Sequence, residues 1–179
     1  IENNYIGNSN NVRAVWIDFG NQNIRLSGNI IGVQIFIEMN HGPILIDNNI
    51  LEGVYINRGS GAITLTHNLI NMDNIRYTHD PFRKSAYYKA HSRETVMREL
   101  SFIRDERWYN NIFIKKGLDS LRVNQPANED IQVTRTTPPP PIQLGVDPLT
   151  TNYGCAADYN LYINGAKKHD SFDRNSIVS

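Results

Sequence analysis

Two segments decide the fold: Val15-Trp16-Ile17-Asp18-Phe19 and, 20 positions later, Ile35-Phe36-Ile37-Glu38-Met39. Each residue of the first has a chemical counterpart in the second: aliphatic, aromatic, aliphatic, acid, apolar. A period near 20 is a repeat length of solenoid architectures. If the two segments stack as parallel strands, Asp18 and Glu38 lie side by side, roughly 4.7–4.9 Å apart.

The period runs on through a phrase of Asn followed by apolar residues. It appears as Asn4-Tyr5-Ile6, Asn29-Ile30-Ile31, Asn49-Ile50-Leu51 and Asn68-Leu69-Ile70, at spacings of 25, 20 and 19 residues. It returns at Asn111-Ile112-Phe113 and Asn160-Leu161-Tyr162, after gaps about twice as long. Between the phrases lie short alternating runs such as Ile44-Leu45-Ile46-Asp47 and Ala62-Ile63-Thr64-Leu65-Thr66, which read as strands. Asn suits a corner because its amide bonds to backbone and it tolerates left-handed φ. Stacked corners would form a ladder of amide hydrogen bonds. Recurring large aliphatic residues argue against a disordered Asn-rich tract, and the leucine consensus of leucine-rich repeats is absent.

The expected fold class is all-β, a right-handed parallel β-helix (solenoid) with long loop insertions. Residues 1–179 read as one partial domain. Catalytic rungs are expected at about 1–71, a long active-site loop at about 72–107, and further rungs at about 108–118 and 155–168. A Pro-rich excursion at about 119–150 contains the run Pro138 to Pro141, which cannot donate ladder hydrogen bonds. The 72–107 segment is too long for a passive connection and should carry function or a short helix. The chain starts at Ile1 within a repeat, which reads as a piece of a longer protein.

Composition narrows the function. Eighteen basic and 18 acidic residues balance, leaving no electrostatic footprint for nucleic acid or an anionic membrane. No apolar run is long enough to span a bilayer. The single cysteine, Cys155, excludes an internal disulfide and a cysteine-based zinc site. The compartment, cytoplasmic or periplasmic/secreted, stays open.

Alternation sets directions. With Asp18 outward, Trp16 and Ala14 point outward, and Val15, Ile17 and Phe19 face the core. One repeat later Glu38, Phe36 and Gln34 point outward, and Ile35, Ile37 and Met39 face in. Val54-Tyr55-Ile56-Asn57 continues the pattern. Outward columns then read Asp18, Glu38, Asn57 and Trp16, Phe36, Tyr55. Acids and an amide beside aromatic rings suit a sugar, whose hydroxyls need polar partners and whose apolar faces need platforms. Retaining glycosidases hold two carboxyls about 5–5.5 Å apart. Mutual repulsion favours a singly protonated pair, the division of labour that acid-assisted cleavage uses.

Trp16-Ile17-Asp18-Phe19 with Phe36-Ile37-Glu38-Met39-Asn40-His41-Gly42-Pro43 resembles glycoside hydrolase family 120, the β-helical β-xylosidases. The likeness continues through Ile46-Asp47-Asn48-Asn49-Ile50, His67-Asn68-Leu69, Arg76, Arg83, Tyr87, His91-Ser92, Glu94 and Tyr109-Asn110-Asn111-Ile112-Phe113-Ile114, with an echo from Asn160 to Lys168. The resemblance implies a retaining, exo-acting β-xylosidase that needs no cofactor or metal. In it Asp18 matches the nucleophile and Glu38 the general acid/base. Phe19 stands where the family tends to have Trp, and Tyr88 where a His is expected. Further rungs and an inserted β-sandwich of the family lie outside this chain. Expected partners are a small oligosaccharide, those missing parts and a possible homo-oligomer.

Candidate substrate-binding residues are Trp16, Phe36, Asn40, His41, Asn57, Arg83 and His91. His41 follows Glu38 closely and reads as a partner of the sugar or of Glu38. Arg83 and His91 lie in the long loop, where they could close over the sugar. His67, at an Asn corner, reads as structural. Two other functions fit the same architecture: a polysaccharide lyase acting on uronates, often with Ca²⁺, and a non-catalytic carbohydrate-binding solenoid.

Overall fold

The fold is that of a computed structural model, which describes residues 1–7, 13–57, 60–77, 84–100, 104–115, 154–168 and 173–179, with backbone alone at Asn57, Tyr77 and Leu100. In chain order the strands are β1 (Tyr5–Ile6), β2 (Arg13–Ile17), β3 (Ile24–Ser27), β4 (Ile30–Glu38), β5 (Ile44–Asp47), β6 (Ile50–Asn57), β7 (Ile63–Thr66) and β8 (Leu69–Asn71). They continue as β9 (Ile75–Tyr77), β10 (Lys84–Tyr88), β11 (Thr95–Leu100), β12 (Arg107–Tyr109), β13 (Ile112–Ile114), β14 (Ala156–Asp158), β15 (Leu161–Ile163) and β16 (Ile177–Val178).

The protein is all-β, with two parallel sheets. One runs β3-β5-β7-β12-β14. The other runs β1-β4-β6-β8-β13-β15-β16, with β2 paired to β4 and β9 to β6. Each early repeat contributes three extended segments. One lies in the first sheet, a short one follows the Asn corner, and a third follows a bend. The bend shows as a register shift between Ile31 and Gln34: Ile30 and Ile31 pair with β1, whereas Gln34 to Ile37 pair with β2.

Stacking brings like residues onto like. Ile24, Ile44 and Ile63 share one column, and Leu26, Ile46 and Leu65 another. Val15, Ile35 and Val54, then Ile17, Ile37 and Ile56, form the matching columns of the third segment, in the register expected from sequence. These side chains form one buried cluster, and β-branched residues suit its pleated, two-sided surroundings. In later repeats aromatic side chains take over. Trp108 pairs with Leu65 on one side and Ala157 on the other, so a large residue is accommodated by a small one. Phe113 and Tyr162 stack with centroids 4.9 Å apart, and the Tyr162 hydroxyl donates to Asp173.

Asparagine supplies the polar spine. The Asn29 N–H donates to Asn49 Oδ1 at 2.8 Å, Asn49 to Asn68 at 2.9 Å, Asn68 to Asn111 at 3.0 Å and Asn111 to Asn160 at 2.9 Å. Asn4 joins at one end, and Ser176 Oγ accepts from Asn160 at the other. Each interior side-chain amide also donates to a strand carbonyl of the preceding repeat, as Asn49 does to Leu26 and Asn160 to Trp108. The left-handed residue of the corner is not the ladder Asn, as the sequence suggested, but the one before it: Asn3, Gly28, Asn48, His67, Asn110 and Tyr159 all have φ between 55° and 66°.

Three expectations change. Ala14 packs against the core, since a register shift between Arg13 and Val15 breaks the alternation. Phe19 is exposed rather than inward, because β2 ends at Ile17 and the chain turns. The supposed loop at 72–107 is largely strand among its described residues. β9 continues the second sheet, and β10 and β11 form an antiparallel hairpin. A 3₁₀ turn spans Met72–Asn74. The Pro-rich excursion lies outside the described residues. Among those residues, no helix is long and apolar enough to cross a membrane.

One ion pair crosses neighbouring strands on the outer surface. The Arg25 guanidinium grips Asp47 through two bonds of 3.0 and 2.9 Å, and Ser27 and Asn48 donate to the same carboxylate. Arg25 first, then these hydrogen bonds, hold the Asp47 carboxyl below its usual 3.8, at about 2, against the opposing effect of burial. A carboxyl depressed in the folded state adds stability that is complete above its unfolded value and lost as pH falls through the folded one. Replacing Arg25 with Ala should therefore lower the melting midpoint at neutral pH, and the deficit should close between about pH 4 and pH 2. A deficit independent of pH would contradict the pairing. Replacing Asn49 with Ala strands several buried donors and acceptors at about 1–3 kcal/mol each. Chemical denaturation should show a loss of about 3 kcal/mol or more, well beyond that of Asn4→Ala at the exposed end of the ladder.

Candidate active site

The third segment of each early repeat carries the acids. Glu38 is the last residue of β4, and Asp18 directly follows the last residue of β2. Ile17 pairs with Ile37, so the two acid positions leave adjacent strands at the same level. Adjacent strands are about 4.7–4.9 Å apart. Their surroundings differ. Glu38 is 7 % exposed, whereas Asp18 is open to solvent. Asp18 Oδ1 accepts the Phe19 N–H at 2.8 Å, and the Asn21 side chain donates to the Asp18 carbonyl. The next position of the column is Asn57, paired with Glu38 through the backbone.

Beside the acids runs the column Trp16, Phe36, Tyr55 and Arg76. Its rings meet edge to face, with Phe36 5.1 Å from Trp16 and 5.0 Å from Tyr55. The Arg13 guanidinium lies over Phe36 at 3.6 Å, a cation–π contact. Phe36 is thereby 1 % exposed and cannot serve as a sugar platform. Trp16, 56 % exposed, keeps a free face.

A second polar ladder lies just past the acids. The Asn21 N–H donates to Asn40 Oδ1 at 2.7 Å, the Asn40 N–H to Ser60 Oγ at 3.0 Å, and the Asn40 amide to the Ile17 carbonyl at 2.9 Å. Asn40 is fully buried, so its task is to lock the corner rather than to bind a sugar. The signal was present in the sequence as the spacing Asn21, Asn40, Ser60, the same spacing that marks the main ladder.

The hairpin leans on this corner. His41 Nε2 and Ser85 Oγ are hydrogen-bonded at 2.7 Å, and the His41 ring meets Tyr87 edge-on at 5.6 Å. The Tyr88 N–H donates to Gln22 Oε1 at 3.0 Å. A Cβ at Gly20, φ +69°, would lie 3.0 Å from the Ala86 carbonyl oxygen, so only glycine permits the approach. His41, 5 % exposed, thus docks the hairpin and has no free edge for a ligand. Burial, the largest influence, pushes the His41 imidazole below its usual 6.5, and Arg104 adds to this while the Ser85 bond and Glu99 oppose it.

Between the corner and the hairpin turn lies an open cleft of about 470 Å³, lined by residues 20–23 and 88–93. His91, exposed at the tip with φ 56°, is one of its walls. The candidates are thus dispersed. Asp18, Glu38 and Trp16 share one face, His91 lines the cleft beyond Gly20, and Phe36, Asn40 and His41 are buried as packing and docking groups. Arg83 and the Asn57 side chain lie outside the described residues. Sequence reading missed Asn21, Gln22 and Ser85 as parts of the site, and considered Arg13 only as a basic residue for a lyase. Among the described residues no three His, Cys, Asp or Glu side chains are grouped as a metal centre requires.

A docked, neutral His41 binds fewer protons than an undocked one, so docking should weaken as pH falls below about 6.5. Hydrogen exchange, corrected for intrinsic rates, should show residues 84–100 losing protection over that range while the aliphatic columns keep theirs. His41→Ala should remove the pH dependence and reduce hairpin protection at all pH values, by about 1–3 kcal/mol for the lost buried bond. Equal protection in that variant would show that the ring does not hold the hairpin.

No family model and no curated protein matches the chain. The solved structure of XylC in complex with xylose does match, with a TM-score of 0.69 and 26 % sequence identity, over 99 % of this chain and 28 % of XylC. The chain therefore shares a XylC-like fold over nearly its whole length, and spans less than a third of that protein.

Proposed function

We propose that this chain is part of a retaining β-xylosidase of the family 120 type, built on a single right-handed parallel β-helix domain. The observation that carries the reading is the pairing of Ile17 with Ile37, the residues immediately before Asp18 and Glu38. The likeness to a xylose-bound protein supports the sugar class. Further rungs and an inserted β-sandwich of the parent chain would complete the pocket.

In the mechanism an Asp18 oxygen attacks the anomeric carbon as the bond to the leaving oxygen breaks. Protonated Glu38 delivers its proton to that oxygen. Glu38, now a carboxylate, takes a proton from water. The resulting hydroxide displaces Asp18, and β-xylose leaves with Glu38 protonated again. Both steps balance without a metal or cofactor. Trp16, exposed two residues before Asp18, offers a platform for the sugar. Burial of Glu38 and exposure of Asp18 give the two acids unlike surroundings, as unlike roles require.

The test uses the full-length parent protein and aryl β-xylosides. Wild type should release β-xylose, read as the first-formed anomer by NMR. Asp18→Asn should abolish turnover of every substrate. Glu38→Gln should lose about 10²–10⁴-fold on alkyl xylosides, and much less when the leaving phenol is acidic enough to depart unprotonated. Normal turnover by Asp18→Asn sinks the assignment. An unsaturated, ultraviolet-absorbing product would instead identify a lyase.

A further inference from the structure

The cleft beside the acids has a charge that the proposed reaction does not use. We propose that it receives the leaving-group side of the substrate and prefers a leaving group that carries a carboxylate; this rests on the glycosidase reading above. One wall starts at Gly20, two residues beyond Asp18, a span of at most about 7 Å of chain. Asn21 fixes that wall to both halves of the acid pair. Its side chain holds the Asp18 carbonyl, and its N–H holds Asn40, two residues past Glu38. A leaving group that extends from the scissile oxygen past Asn21 would enter the cleft.

The opposite wall is the hairpin turn. It presents Lys89, His91 and Arg93, and no Asp or Glu lines the cleft. The turn is a set structure rather than a loose tip. The Lys89 N–H bonds to the Glu94 carbonyl at 3.0 Å, the Ser92 N–H to the Lys89 carbonyl at 3.1 Å, and the Glu94 N–H to Ser92 Oγ at 2.9 Å. Lys89 lies 3.6 Å from the Glu94 carboxylate, with both side chains about two-thirds exposed, so that acid already answers much of its charge and Arg93 is the stronger attractor of an anion. Arg93 has no ion-pair partner among the described residues, and its planar guanidinium suits a carboxylate. Asn23 and Tyr88 supply the amide and the aromatic surface that a sugar ring also needs. A uronic acid, or any glycan unit bearing a carboxylate, has the matching chemistry.

Two aryl β-xylosides test this on the full-length parent, one with a 4-(carboxymethyl)phenyl leaving group and one with its methyl ester, whose phenols depart with comparable ease because the methylene insulates the ring. Wild type should favour the carboxylate in kcat/KM by about twofold to fivefold, as a partly exposed charge pair supplies. The preference should shrink in high salt and fall towards one in the Lys89→Ala/Arg93→Ala double variant. A wild-type ratio of one or less, or a ratio the double variant leaves unmoved, overturns the proposal. If neither xyloside is cleaved, calorimetric titration with the 4-(carboxymethyl)phenyl xyloside separates the two readings. Binding lost in the double variant would retain the cleft and discard the glycosidase, and absence of binding would discard the cleft.

Discussion

Everything in this protein depends on successive repeats stacking at one fixed register. The buried Asn ladder enforces it. As at Asn49, the amide oxygen takes two donors from the preceding repeat, and the amide nitrogen donates to a strand carbonyl of that repeat and to the amide oxygen of the next. A slip of one residue would orphan these groups and turn every aliphatic column to the wrong face. With register fixed, Val15, Ile35 and Val54 meet in the core, and the residues between them must line up outside. The neighbouring positions of Asp18 and Glu38 follow from apolar packing on one side and amide hydrogen bonding on the other.

The hairpin is built on different physics. It touches the stacked repeats through a few specific contacts, among them His41 with Ser85, Gln22 with Tyr88, the Glu99–Arg104 ion pair at 2.8 Å and the close approach at Gly20. Much of its surface stays exposed, Val96 and Met97 included. A rigid stack thus carries the acids, while a lightly attached element carries the opposite wall of the cleft. Such an element can move or change in sequence without disturbing the pair it faces.

The repeat was legible in the sequence because it is written twice, once in the Asn phrases and once in the alternation of Ile and Val. The column Trp16, Phe36, Tyr55 and the ladder itself followed from spacing alone. What spacing could not show was which outward ring is covered. Phe36 is sealed by Arg13, three residues before Trp16 and on the far side of a bulge that alternation does not foresee. Nor could it show that Asn40 and His41 serve the corner. Their polarity suggested a ligand, but their partners, Asn21, Ser60 and Ser85, lie 19 to 44 residues away. The hairpin was hidden for a related reason. Its strands pair only with each other, so no repeat announces them.

The ladder passes from Asn68 to Asn111 and from Asn111 to Asn160 with the same bonds that join adjacent repeats. There the ladder residues are 43 and 49 positions apart rather than about 20, yet they meet as if nothing had been added. Over evolutionary time this makes the excursions exchangeable cassettes. A lineage could lengthen, trim or replace the hairpin and acquire a new preference for what departs from the sugar, while the two acids inherit their geometry unchanged from the stack.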